Sequence, residues 1–98
     1  MIYANPGSAD ALITFKQQYG NYIGGEWVEP VNGQYFENIS PVNGKVFCKI
    51  PRSDKDDINL ALDKAHAVKT QWGTTSVTER SNILLKIADR IEQNLELL

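Results

Sequence analysis

Cys48 is the residue of this 98-residue chain best suited to covalent chemistry, because a thiolate there would attack an electrophilic carbon. Such a nucleophile needs an exposed, electropositive pocket with a base in reach. Cys48 instead alternates with Val46 and Ile50 in the run Lys45 to Ile50, which places it on a strand face among aliphatic neighbours, and free cysteine is among the most buried residue types. The structural role is the expected one. His66 is the sole histidine and has no acid and nucleophile spaced around it, so it is read as a surface or boundary residue of a helix, not a catalytic base. A phosphate loop at Gly24-Gly25 would have to follow a parallel strand and open a helix; this pair lies between short strand-like runs and reads as a turn. Asp54, Asp56 and Asp57 stand where a helix begins, and capping accounts for them without a cation. One cysteine excludes an intrachain disulfide, and one cysteine with one histidine gives no zinc spacing.

The elements that must position these groups follow from periodicity. Tyr22 to Pro51 reads as two successive β-hairpins, with aromatic and β-branched runs broken at Gly24-Gly25, Asn32-Gly33 and Asn43-Gly44, dipeptides that tolerate the positive φ of tight turns. Pro30, Pro41 and Pro51 each fall where a run ends. In the second hairpin the alternation predicts a buried face of Val46, Cys48 and Ile50, whereas Tyr35 to Ile39 carries apolar residues on both faces and leaves its register open.

After Pro51 the period changes to that of a helix. Ile58, Ala61, Leu62, Ala65, Val68 and Trp72 form one stripe, Ser53 with Asp56 predicts the amino-terminal cap, and Gly73 predicts the stop. A second helix is predicted from Ser76, in a capping box with Glu79, and its stripe is Ile83, Leu84, Ile87, Ala88, Ile91 and Leu95. The short Gly73 to Ser76 link predicts neighbouring helices facing a common core. Residues 1–20, opening on Asn5-Pro6-Gly7-Ser8, read as an amino-terminal arm whose Leu12, Ile13 and Phe15 can dock on a neighbouring surface.

Composition bounds the function class. Hydrophobic residues at 42% and charged residues at 22% describe a soluble globular chain, and no apolar run reaches bilayer length. A net charge of −2 with dispersed basic residues gives no stripe for a phosphate backbone, so neither nucleic acid nor membrane is an expected partner. Met1 to Ala4 carries no secretory signal, and the cytoplasm is the expected compartment. Leu95-Glu96-Leu97-Leu98 ends inside an apolar helical pattern, which predicts a chain truncated at its carboxy-terminal end.

Three stretches carry a family resemblance. Asn21 to Val28 (NYIGGEWV), Phe36 to Val46 (FENISPVNGKV) and Glu79 to Asp89 (ERSNILLKIAD) resemble, in order and spacing, the opening strand, the turn and the helix pair of aldehyde dehydrogenases. Ser40 stands where the family usually has Asn, and Val42-Asn43 where it has a small residue and Thr. The likeness runs from about Tyr19 to Leu98 and is nearest to the bacterial acetaldehyde dehydrogenase type.

The resemblance implies that this α+β chain belongs to the α/β cofactor-binding domain of an aldehyde dehydrogenase fold, with 21–98 as that domain's amino-terminal portion. The full-length enzyme would use NAD or NADP to oxidise an aldehyde, acetaldehyde being one candidate, to a carboxylic acid, and would be a homo-oligomer. By the same resemblance the catalytic cysteine, general base and nucleotide contacts come later in the polypeptide. No catalytic or cofactor-binding residue is therefore assigned here, and the 98-residue chain is expected neither to bind the cofactor nor to act alone. Asn38 and Ile39 match a pair whose backbone carbonyls help hold a monovalent cation in some members, as a partial site. The remaining ligands would come from the remainder of the same polypeptide. The rival reading is a self-contained α+β interaction module without enzymatic activity, binding a protein through its helix pair or a strand edge.

Overall fold

The computed structural model describes Ala4, Asn5 and residues 7–98; expectations that fall on Met1 to Tyr3 and on Pro6 lie outside these. Strands β1 (Asn21–Ile23) and β2 (Glu26–Val28) form a hairpin, β3 (Tyr35–Ile39) and β4 (Val46–Pro51) form another, and helices α1 (Lys55–Thr74) and α2 (Val77–Gln93) follow. Both pairs are antiparallel. The hairpins and the α+β class are those predicted from the sequence.

In the first hairpin Ile23 faces Glu26, and the two-residue loop between them puts Gly24 at φ 64° and Gly25 at φ 83°. That primed turn matches the strand twist and strains any residue with a Cβ. Gly20, just ahead of β1, answers a different demand: a Cβ there would lie 2.7 Å from the Val28 carbonyl oxygen.

The second hairpin departs from strict alternation. Asn38 pairs with Cys48 but Ile39 pairs with Val46, so Phe47 is an extra residue and β4 bulges. One inserted residue switches the faces beyond it. Cys48 stays buried and Ile50 half-buried, while Val46, predicted to share their face, is exposed. Phe47 is half-buried and takes the ring of Phe15 edge-on, with centroids 5.0 Å apart. Beside it, Lys49 N donates to the Gln17 carbonyl at 2.8 Å and Tyr19 N to the Lys49 carbonyl at 3.0 Å, so residues 17–19 line the outer edge of β4.

Helix α1 starts one residue later than predicted. Asp54 is the cap, its side chain accepts from Asp56 N, and Asp57 closes the capping box by accepting from Asp54 N at 3.1 Å. Ser53, predicted to be the cap, instead accepts a 2.7 Å hydrogen bond from the Asn21 side chain. Gly73 does not end the helix. The Thr74 and Thr75 hydroxyls, with Thr75 N, satisfy the last carbonyls at Thr70, Gln71 and Trp72, so no left-handed glycine is required. Ser76 caps α2 as predicted, accepting from Glu79 N at 3.1 Å; of the predicted capping box this is the half that forms.

The helices do not share a core, contrary to the sequence expectation. Thr75 and Ser76 are both extended (ψ 138° and 150°) and send α2 away from α1, leaving Leu62, Val68, Ile87 and Ile91 at about half exposure. The radius of gyration is 17.7 Å, against about 13 Å for a compact domain of this length. Among the described residues the buried side chains are Pro30 and Cys48, which are apolar, and Ser40 and Asp57, which are polar.

Candidate functional site

The positions singled out from the sequence fall in separate places. Cys48 is 5% exposed on β4, opposite Asn38. His66 is exposed on α1; its Nδ1 donates to the Leu62 carbonyl at 2.9 Å, since a carbonyl oxygen can only accept. Among the described residues no His, Cys, Asp and Glu side chains converge as a metal-ligand set.

The β3 edge has a more specific geometry. Ser40 N donates to the Lys45 carbonyl at 2.9 Å, which makes those residues a hydrogen-bonded pair and their neighbours Ile39 and Val46 the non-bonded kind. The Ile39 carbonyl therefore points away from β4, toward the outer edge of β3. On the other side of the bulge, Arg52 N donates to the Gln34 carbonyl at 2.8 Å, and alternation from that pair turns the Asn38 backbone toward Cys48. The Asn38 carbonyl keeps a second lone pair. The bulge thus breaks the ladder between the two residues, and their carbonyls do not have the same environment. In the sequence alone, nothing in KVFCKI marks where the extra residue sits.

Neither helix start nor the glycine pair offers a dinucleotide cradle. Gly24-Gly25 joins antiparallel strands, and the amino terminus of α1 is closed by the Asp54 and Asp57 carboxylates, which repel a phosphate. The amino terminus of α2 is occupied by its own Ser76. An open cleft of about 640 Å³ lies where the helices diverge, between Val68 and Trp72 on α1 and Ile83 and Lys86 on α2, with Glu79 and Asn82 also in its wall.

Residues 27–98 match the family model described as "Aldehyde dehydrogenase family". The chain belongs to the aldehyde dehydrogenase family. It is 68% identical over 98 residues to an acetaldehyde dehydrogenase of Pseudomonas aeruginosa, covering all of this chain and 19% of that protein. A long-chain-aldehyde dehydrogenase of Acinetobacter sp is 59% identical over the same 98 residues, which are 20% of its length. In fold, the chain is similar to a solved 3,6-anhydro-L-galactose dehydrogenase in complex with NAP, with a TM-score of 0.74 and 34% identity over 79% of this chain and 16% of that one. The chain therefore spans about a fifth of the length of its aldehyde dehydrogenase relatives. The interaction-module alternative is not favoured.

Proposed function

We propose that residues 21–98 are the amino-terminal portion of the cofactor-binding domain of an NAD(P)-dependent aldehyde dehydrogenase, with 1–20 as an arm. The observation that carries this is the 68% identity along the whole chain to a protein roughly five times as long. In the full-length enzyme an aldehyde carbon gives a hydride to the cofactor and gains an oxygen from water, leaving a carboxylate. The cofactor, when bound, supplies the hydride acceptor. The residues present here do not fit it, because the only glycine pair closes a hairpin and α1 begins on two carboxylates. Nucleophile, base and nucleotide contacts accordingly belong to the remaining polypeptide, and Cys48 is a packing residue.

Within this portion, the Asn38 and Ile39 carbonyls form part of a monovalent-cation site completed by a later segment. The outward turn of the Ile39 carbonyl supports that reading. The relatives named for acetaldehyde and for long-chain aldehydes share this segment at 68% and 59% identity, which argues that selectivity for aldehyde length resides elsewhere. The full-length protein is further proposed to be a cytoplasmic homo-oligomer. Nicotinamide reduction by the purified full-length protein with acetaldehyde tests the proposal. Aldehyde-dependent formation of the reduced cofactor is expected; its absence with both NAD and NADP across short and long aldehydes would overturn it.

A further inference from the structure

Asn32-Gly33, ahead of β3, and Asn43-Gly44, between β3 and β4, close turns whose backbones are alike. Gly33 and Gly44 both stand at φ 67°, with open space where a Cβ would be. Gly33 N donates to the Pro30 carbonyl at 2.8 Å and Gly44 N to the Ser40 carbonyl at 2.9 Å. Each asparagine accepts through Oδ1 from the amide two residues on, Gln34 N at 2.9 Å and Lys45 N at 3.0 Å, as in an Asx turn. The side-chain nitrogens differ. Asn32 Nδ2 donates to the Arg52 carbonyl at 3.2 Å and to Asp54 at 3.3 Å, whereas among the described residues Asn43 Nδ2 has no acceptor. Asn43 is exposed and borders a cavity of about 260 Å³ between the arm and β4, which leaves its amide room to rotate.

We propose that Asn43 is a site of spontaneous deamidation and isoaspartate formation, and that Asn32 is held against the same reaction. Hydroxide takes the proton of Gly44 N, and that nitrogen attacks Asn43 Cγ. The new C–N bond closes a five-membered succinimide as the Cγ–Nδ2 bond breaks. Nδ2 leaves as ammonia, its third proton coming from water, which regenerates the hydroxide. Water then adds to one ring carbonyl: cleavage at Cγ leaves aspartate, and cleavage at the main-chain carbonyl leaves isoaspartate, with the backbone rerouted through Cβ and Cγ. One water is consumed, one ammonia is released, and nothing is oxidised or reduced. Glycine favours the closure because no side chain shields its nitrogen and its backbone is free to adjust. At Asn32 the same closure must also break both bonds from Nδ2, which tie the turn to the start of α1. Asn43 stands where the aldehyde dehydrogenase family usually has Thr, which has no amide to lose, so the site belongs to this chain rather than to the family at large. Isoaspartate lengthens a turn clamped by the bond from Ser40 N to the Lys45 carbonyl, next to the Ile39–Val46 pair, and so loosens that end of the hairpin.

The test incubates the full-length protein in mildly alkaline buffer, folded and in urea, and follows both asparagines by peptide mapping with mass spectrometry. Isoaspartate is read separately, by enzymatic methylation of its carboxylate. In urea the two sites are expected to convert at similar rates, because both are Asn-Gly. In the folded protein Asn43 is expected to convert about tenfold or more faster than Asn32, the factor that two further hydrogen bonds on the Asn32 amide provide. Asn43→Thr is expected to abolish the mass gain in its peptide and leave that of Asn32 unchanged. Equal rates at both sites in the folded protein, or an Asn43 that stays intact there while converting in urea, would overturn the proposal. A difference that persists in urea would remove the role given to the Asn32 contacts, and conversion to aspartate with no isoaspartate would exclude the succinimide route.

Discussion

The Asp57 carboxylate accepts from Val31 N at 2.9 Å, tying the start of α1 to the β2–β3 connection across 26 residues of sequence. Its other oxygen accepts from Asp54 N at 3.1 Å, and the residue is 2% exposed. One buried side chain therefore satisfies two backbone donors that have no strand or helix partner of their own. Asn32 supports the same junction by donating from its side-chain amide to the Arg52 carbonyl at 3.2 Å and to Asp54 at 3.3 Å.

Asp57→Ala in the full-length protein orphans both donors and is expected to cost about 1 to 3 kcal/mol. Asp57→Asn retains one carbonyl acceptor and is expected to cost less. Thermal unfolding ranks the variants, and hydrogen exchange at the Val31 amide reports the local contact. An unchanged exchange rate in Asp57→Ala would show that the bond contributes nothing.

This junction also shows what the sequence could and could not reveal. Gly24-Gly25 and Asn43-Gly44 identify the turns because positive φ leaves few residue choices, and the 3.6-residue stripe identifies both helices. The frame of the α1 cap is ambiguous locally, since Ser53 with Asp56 and Asp54 with Asp57 satisfy similar rules. A contact 26 residues away, at Val31, is tied to the second frame. The bulge at Phe47 is invisible for a related reason: an extra residue in an apolar run leaves no mark, and Phe15 from the arm packs against it. The divergence of the helices turns on two extended residues, Thr75 and Ser76, that a short polar link does not specify.

The isolated 98-residue chain is expected to bind an environment-sensitive apolar dye and to self-associate, because Ile87, Ile91, Leu95 and Leu98 are 49% to 80% exposed. Fluorescence and light scattering across a concentration series check this. A monodisperse monomer with no dye response would contradict it.

The Ile39 carbonyl is expected to face a bound monovalent cation in the full-length enzyme. Crystals grown in a thallium(I) salt should show an anomalous peak at coordination distance from that oxygen. A strand N–H bonded to the Ile39 carbonyl in its place would remove the site.

Gly20→Ala is expected to lower stability by about 1 kcal/mol or more, because the new methyl meets backbone at Val28, which cannot swing aside as a flexible side chain would. The midpoint of thermal unfolding of the full-length protein is the readout. An unshifted midpoint would mean that β1 and β2 adjust at no cost.

Turnover of full-length Cys48→Ser with a short aldehyde decides whether this segment supports the enzyme without supplying its nucleophile. The serine hydroxyl enters a buried strand face, so a stability loss of about 1 to 3 kcal/mol is expected where it finds no partner. Activity per folded molecule should stay near that of the unsubstituted enzyme. A fall of several orders of magnitude with folding intact would show that Cys48 performs the chemistry.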